Sequence, residues 1–304
     1  MSGYMGFVGV STGGSSIMSI FPAWADILGL PTRHLVGHDL PVDATPEQYV
    51  RLVEQIRDDP EHRGALVTTH KMGLYAAASH LFDQLDEFSV NCGEISSIAK
   101  RDGRLVGHAK DPITVGLAAE EFLPSTHFAD TGGEVVCFGA GGAGTALTWY
   151  LAERRDAPSR IVVTDTSRER LDSLRAVHER RGTRASLLDY RQVTSDEVAR
   201  HALAEAPERS LVVNASGLGK DRPGSPVPDD ARFPVGAYVW EFNYRGSLEF
   251  LAQARRQEAA RRLTVVDGWR YFIHGWTSVI SEVFAVPLDP QLLGRLSEAA
   301  EAAR

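Results

Sequence analysis

The stretch Glu134 to Leu151, EVVCFGAGGAGTALTWYL, constrains this chain more than any other. A short apolar run leads into a glycine cluster, and an amphipathic segment follows. The pattern reads as a buried strand that turns through Gly139, Gly141 and Gly144 into the N-terminus of a helix. Glycine suits such a turn because it accepts positive φ at little steric cost and lets backbone approach a ligand closely. The helix N-terminus adds unpaired N–H groups and the positive end of a dipole, which together bind phosphate. A glycine triplet alone says little. Here an acid, Asp165, closes the next apolar run, Arg160-Ile161-Val162-Val163-Thr164-Asp165, and strand, turn, helix and acid together are the context of a dinucleotide fingerprint. The segment is therefore expected to bind a nucleotide cofactor. The competing reading is a tight strand-to-helix turn with no ligand.

Composition narrows the partners. With 304 residues the chain can bury a full core, and its length favours two domains. It is 43% hydrophobic and 24% charged, ordinary for a globular protein, and its net charge of −8 argues against nucleic acid or an anionic membrane surface. Two cysteines, Cys92 and Cys137, make no disulfide framework, and Cys137 reads as a small buried hydrophobe. No charged segment with a long apolar run opens the chain, and nothing approaches the roughly 18 consecutive apolar residues of a spanning helix. A cytoplasmic protein, monomer or homodimer, acting on a small molecule is expected. The two cysteines and ten histidines form no Cys-x-x-Cys or His-x-x-x-His group, so no metal site is expected.

Strand-like and helix-like patterns alternate from end to end, the mark of an α/β protein on mostly parallel sheets. Strands are expected at residues 4–10, 32–37 and 64–69, and helices from about residue 17 to Leu28, with Gly29 as C-cap, and over 45–58. The last has Thr45 as N-cap, Pro46 at the first helical position and Glu47 in the first turn. Residues 73–87 read as helical, and 97–100 with 104–107 read as a hairpin around Asp102-Gly103. A helix follows Asp111. Further strands are expected at 185–188, 211–214, 239–242 and 263–267, with a helical, alanine-rich tail from Gly268 onward.

These segments, in this order, resemble the shikimate/quinate dehydrogenase family over nearly the whole chain. SSIMSIFPAWADILGL stands in the place of a serine-rich substrate loop and first helix, GALVTTHK resembles a strand ending in a catalytic lysine, and NCGEISSIAKRDGRLVGHAKD resembles a segment whose hairpin leads to a catalytic aspartate. GAGGAG and TDTSRER match the cofactor loop and the strand end that reads the ribose; VVNASGLG, EFNYRGS and DGWRYFIHGW match later loops. The resemblance implies an N-terminal α/β substrate domain (1–112), a Rossmann dinucleotide-binding domain (113–267) with the active site in the cleft between them, and C-terminal helices (268–304) packing back on the first. It implies Lys71 and Asp111 as catalytic residues. It implies cofactor contacts from Gly139, Ala140, Gly141, Gly142, Ala143, Gly144, Asp165, Thr166, Ser167, Arg168, Asn214, Ala215, Ser216 and Gly268. Substrate contacts would come from Ser15, Ser16, Val67, Ser96, Tyr244, His274 and Gly275.

Oxidation of a secondary alcohol needs a group that takes the hydroxyl proton as hydride leaves for the nicotinamide. A lysine ammonium can serve if burial and neighbours bring its pKa towards neutrality. A nearby carboxylate would raise that pKa instead, so its tasks are to orient the lysine and to accept the substrate hydroxyl's hydrogen bond. Which of the two moves the proton stays open. Taken singly, Lys71 reads as a solvated lysine and Asp111 as a helix N-cap.

Departures from the family pattern concentrate where the substrate is held. The family carries asparagines and a threonine around its two catalytic residues. This chain has Ala65, Leu66 and Val67 before Lys71, serine in Glu94-Ile95-Ser96-Ser97, and His108-Ala109-Lys110 before Asp111. Pro22 stands near another usual asparagine, and His274-Gly275-Trp276 replaces the neighbourhood of a glutamine, whereas Tyr244 is kept. A site built to hydrogen-bond a polyol leaves polar groups unpaired with the wrong substrate, so these changes redirect specificity. The expected substrate is a related carbocyclic or polyhydroxylated compound rather than shikimate itself, with Lys110 and His108 as candidate cations for an anionic group. Asp165-Thr166-Ser167 replaces the Asn-Arg-Thr of NADP-using relatives. A carboxylate there accepts ribose hydroxyls and repels a 2′-phosphate, so NAD is expected over NADP, with Arg168 and Arg170 pulling the other way. Two other readings compete: a non-catalytic metabolite sensor on the same fold, and a folate-linked type of dehydrogenase.

Overall fold

A computed structural model describes residues 3–220 and 222–303. The chain forms two units, residues 3–110 with 273–303, and residues 111–272. The first begins β1 (Tyr4–Gly9), α1 (Ile17–Leu28), β2 (Leu35–Asp39), α2 (Pro46–Asp58) and β3 (His62–Val67). It continues α3 (Lys71–Ala78), β4 (Gln84–Leu85), α4 (Glu87–Cys92) and the hairpin β5 (Ser97–Arg101)–β6 (Arg104–His108). Its six strands are ordered β2-β1-β3-β5-β6-β4. β1 is parallel to both neighbours, while β5 runs antiparallel to β3 and to β6. Local chemistry explains the boundaries. Gly29 ends α1 in the left-handed conformation, and Gln48 accepts the Thr45 N–H at 2.8 Å to close the start of α2 behind Pro46. Asp102 and Gly103 both have positive φ, as a two-residue type I′ hairpin turn demands.

The second unit opens with α5 (Asp111–Glu120) and α6 (His127–Thr131) and then alternates strictly. It runs β7 (Val135–Phe138), α7 (Gly142–Glu153), β8 (Ile161–Asp165), α8 (Arg168–Arg180), β9 (Leu188–Gln192), α9 (Asp196–Glu205) and β10 (Leu211–Asn214). β11 (Tyr238–Glu241), α10 (Glu249–Arg261) and β12 (Thr264–Val266) complete it. Every pairing in its sheet is parallel and the order is β12-β11-β10-β7-β8-β9. The chain thus starts in the middle and winds out to each edge, the doubly wound order of a Rossmann sheet with its switch point at β7/β10. Both faces are covered, which is why these strands are unbroken apolar runs rather than alternating ones. Val135 and Cys137 pack with Val115 of α5 and Leu147 of α7, whereas Val136 and Phe138 pack with Leu203 of α9 and Phe250 of α10. Cys137 is wholly buried, and burial pushes its thiol up to about 12.

Helix α11 (Trp269–Phe284) carries the chain back, and α12 (Pro290–Glu301) ends it. Within the first unit Trp276 meets Phe7 edge-on at 4.8 Å, and Trp24 of α1 donates its indole N–H to the Leu296 carbonyl of α12 at 2.7 Å. The fold is α/β in both halves, as expected. No helix among the described residues is long and apolar enough to cross a membrane.

Four elements depart from the sequence reading by more than a residue or so. The second strand is Leu35–Asp39 rather than 32–37, because the Thr32 hydroxyl takes the His34 N–H and makes a turn. β3 stops at Val67, with Thr68 and Thr69 in a loop. The helix read over 73–87 is shorter: α3 starts at Lys71 and ends at Ala78, a 3-10 turn at Ser79–Leu81 follows, and the chain then supplies an edge strand to β6. The strand expected at 185–188 is a single 3-10 turn leading into β9 at Leu188.

Candidate functional site

The glycines of the β7–α7 turn divide by what each must avoid. Gly139 has φ +113°, and a Cβ on it would lie 2.6 Å from the backbone of Ala215 and Ser216. A Cβ on Gly144 would lie 2.0 Å from the Gly139 carbonyl oxygen. The fold's own backbone therefore excludes side chains at both. A Cβ on Gly141 would meet nothing within 4 Å, and its φ of −79° is open to any residue. Its bareness serves no packing within the chain. It leaves the first turn of the twelve-residue α7, at Gly142 and Ala143, uncovered where a helix has N–H groups without intrahelical acceptors. This division matches the three glycine roles of a dinucleotide turn: tight turn, close approach of pyrophosphate, and helix–strand packing.

Asp165, at the end of β8, is buried. One carboxylate oxygen accepts the Ala140 N–H at 2.8 Å and the other accepts the Ser167 N–H at 2.8 Å. It was expected to read the ribose. Within the chain it holds the glycine turn against the start of α8, leaving one lone pair per oxygen for a further donor. Ser167 caps α8 through the Arg170 N–H, Thr166 is exposed, and Arg168 reaches Asp172 one turn along at 3.3 Å.

Asn214 is engaged within the chain as well. It is fully buried at the end of β10 and donates to Glu241 at 2.7 Å and to the Leu218 carbonyl at 3.2 Å. Its own oxygen accepts from the Ser216 N–H and hydroxyl. The side chain shapes the loop, at whose surface Ala215, Ser216 and Leu218 are half-buried and Gly217 is exposed. Gly268 lies where a Cβ would come 2.2 Å from the Phe242 carbonyl oxygen, so here too glycine answers a close approach within the fold.

In the first unit the residues around Lys71 are tied together by backbone. The Lys71 carbonyl accepts the Ile95 N–H at 3.2 Å, and the Val67 N–H reaches the Ser96 carbonyl at 2.9 Å. His70, 2% exposed, fixes the residue before the lysine. Its Nε2 lies 3.1 Å from the Leu40 carbonyl, so that nitrogen carries the proton and Nδ1 accepts from the Tyr49 hydroxyl at 2.8 Å. Burial lowers the His70 pKa, keeping the ring neutral. Two residues expected to touch substrate are engaged within the chain. Val67 is wholly buried in the core with Val8 and Leu74 and presents nothing outward. The Ser96 hydroxyl accepts the Lys110 N–H at 2.7 Å and lies 3.4 Å from the His108 carbonyl, so it anchors the chain leading to Asp111.

The candidate cations are also engaged. Lys110 reaches Glu282 at 2.5 Å, His108 lies 3.4 Å from the same carboxylate, and Arg101 pairs with it as well. Ser15 is buried and Ser16 opens α1. Their loop is pinned by Thr12, whose N–H and hydroxyl both reach Asp39. His274 is buried in α11, and the half-buried Gly275 has open space where a Cβ would stand.

In the second unit Asp111 opens α5 and is 6% exposed, with the Tyr271 hydroxyl donating to it at 3.3 Å. It stands inside the first turn rather than as the N-cap. Tyr271 is itself set by rings, Phe242 at 4.7 Å and Trp240 at 6.0 Å. Tyr244 is half-buried against Phe272, at 4.2 Å.

No family model matches the chain. It is, however, 32% identical over 236 residues to the shikimate dehydrogenase (NADP(+)) of Symbiobacterium thermophilum, a match that covers 76% of this chain and 74% of that protein. The chain belongs to the shikimate dehydrogenase family. It is accordingly an NAD(P)-dependent oxidoreductase of the shikimate/quinate dehydrogenase type. Among solved structures, quinate dehydrogenase from Corynebacterium glutamicum in complex with NAD has a TM-score of 0.73 at 19% identity, over 99% of both chains. The ligand-free 5-ketofructose reductase of a Gluconobacter strain has a TM-score of 0.70 at 17% identity, again over 99% of each. These two likenesses show the shared fold.

For a shikimate dehydrogenase family member, the sequence reading missed the residues that support the site. Thr12 with Asp39, Tyr49 with His70, and Tyr271 beside Asp111 join residues 27, 21 and 160 positions apart. The single signal available beforehand was Glu241, a charged residue closing the otherwise apolar-aromatic strand YVWE.

Proposed function

We propose that this dehydrogenase transfers hydride between NAD, in preference to NADP, and a secondary hydroxyl or keto group of a carbocyclic polyol or related metabolite other than shikimate. The NAD preference rests on Asp165 with Thr166 following it. A buried carboxylate beside an exposed threonine offers a 2′-phosphate repulsion and no adjacent arginine fork, and Arg168 already has Asp172 as a partner. The uncovered first turn of α7 at Gly141, Gly142 and Ala143 fits a pyrophosphate, with Ala215 and Ser216 as the neighbouring loop. When bound, the nicotinamide accepts or returns the hydride.

The chain's own residues handle the proton. Lys71 Nζ is the proposed general acid–base, taking the substrate hydroxyl proton in oxidation and returning it in reduction. The Asp111 carboxylate is the proposed acceptor for the hydroxyl's hydrogen bond, with the Tyr271 hydroxyl orienting it. Altered specificity is supported by Val67, closed into the core, and by Ser96, whose hydroxyl is bound within the chain. Neither has a free group for a polyol, so the pattern of hydroxyls this site rewards differs from that of its relatives.

A screen of NAD and NADP against cyclic polyols, including quinate, shikimate and their amino analogues, tests this reading. Turnover is expected with NAD and a polyol other than shikimate. Best activity with shikimate and NADP would defeat both specific claims. Thr166→Arg should move the kcat/KM ratio towards NADP by about tenfold, the worth of one charge-assisted pair. An unchanged ratio would mean the ribose is read elsewhere.

A further inference from the structure

Glu241 closes β11 as the register partner of Asn214, the last residue of β10, and is wholly buried. Its two oxygens are held by donors. Oε2 accepts from the Asn214 amide at 2.7 Å and Oε1 accepts the Asn243 N–H at 2.8 Å. Both amides extend the network. The Asn214 and Asn243 side chains donate to one carbonyl, that of Leu218, at 3.2 and 3.0 Å. The Asn214 oxygen accepts the Ser216 hydroxyl at 2.6 Å, and the Ser216 hydroxyl oxygen accepts the Leu218 N–H at 3.3 Å. One carboxylate therefore organises the whole turn from 214 to 218. That turn is packed directly on the glycine turn, since its Ala215 and Ser216 backbone is what a Cβ at Gly139 would strike.

The requirement is for an acceptor on both sides. A glutamine would place its NH2 group against a donor, and so would a protonated carboxyl with its O–H. Asn214 cannot rotate to compensate, because its oxygen already serves Ser216 twice. We propose that Glu241 is a positioning residue for cofactor binding, its ionised carboxylate setting the shape of the 214–218 turn beside the glycine turn. The proposal rests on reading residues 139–144 as the cofactor turn. It also carries a pH dependence. Burial pushes the Glu241 carboxyl up to about 7; the opposing influences are the hydrogen bonds from Asn243 and Asn214, and among the described residues no lysine, arginine, histidine or second carboxylate contributes. The ionised form, and the turn shape it holds, is thus lost as pH falls through 7.

The test is titration of the full chain with NADH and with NADPH, followed by nicotinamide fluorescence from pH 6 to 8.5, for the wild type, Glu241→Gln and Ser216→Ala. The wild-type Kd for its preferred cofactor should rise several-fold as pH falls through 7. Glu241→Gln should raise it about tenfold at pH 8, the loss expected for a broken charge-assisted hydrogen bond, and remove the pH step. Ser216→Ala should weaken binding about threefold and keep the step. Wild-type affinity and an unchanged step in Glu241→Gln would overturn the proposal alone. If Glu241→Gln does not fold, a flat wild-type profile together with unaltered binding by Ser216→Ala overturns it equally. A wild type that binds neither NADH nor NADPH would overturn the cofactor reading and this inference with it.

Discussion

Two strand–loop–helix turns invite comparison: β7 to α7 in the second unit, and β3 to α3 in the first. Both follow a buried strand and open a helix. The first is written in backbone. Gly139 and Gly144 are required by backbone groups of the fold, whereas a Cβ on Gly141 would meet nothing in the chain. The second is written in side chains. Thr68, Thr69, His70 and Lys71 occupy the turn, and the buried His70 is locked by Tyr49 and Leu40 so that the next residue starts a helix in a set direction. A backbone site depends on which residue types can be tolerated. A side-chain site depends on which distant residues arrive to hold it.

That contrast can be broken by substitution. Gly144→Ala should have the largest effect, because a Cβ 2.0 Å from the Gly139 carbonyl can be relieved only by moving the helix away from the strand. A loss of about 4 kcal/mol or more, or failure to fold, is expected in chemical denaturation. Stability within about 1 kcal/mol of wild type would show that the turn is not the rigid backbone element described. Lys71→Ala comes next. It should lower kcat by about 100-fold or more, as removal of a general acid–base does, with cofactor affinity retained. An unaltered rate would take the lysine out of the mechanism. Gly141→Ala sharpens the comparison most finely. Its Cβ meets nothing in the chain, so stability should shift by less than about 1 kcal/mol while Kd for the cofactor rises about tenfold. Equal binding by that variant and wild type would mean that no ligand approaches the turn there.

The same contrast explains how much could be read in advance. The second unit was legible because its rules are local. Apolar runs buried on both faces, glycines at required positions and an acid closing β8 lie within about thirty residues of each other, and β10 falls where expected, at 211–214. The hairpin at Asp102-Gly103 was legible for the same reason, since only particular residues accept two positive φ values in succession. The start of β9 was not, because Ala185-Ser186-Leu187 carries no turn signal and only tertiary pairing with β8 sets the start at Leu188.

Side-chain roles were the least legible. Val67, Ser96, Asp165 and Asn214 all lie at positions suited to a ligand, yet each is used by the protein itself, Val67 in the core and the other three in hydrogen bonds to loops. No spacing rule reveals that the Asp165 carboxylate also holds Ala140 and Ser167.

The amino-acid sequence by itself determined the α/β class, the doubly wound second unit, the glycine turn and the family. These follow from periodicity, from the sterics of glycine and from short-range order, all properties of contiguous residues. Tertiary structure alone decided which of the chemically able side chains remain free to act. Thr12 finds Asp39, His70 finds Tyr49, Asp111 finds Tyr271, and Glu241 gathers Asn214 and Asn243. Buried polar groups must be satisfied, and the partners that satisfy them are brought together by the packing of whole elements rather than by their order along the chain.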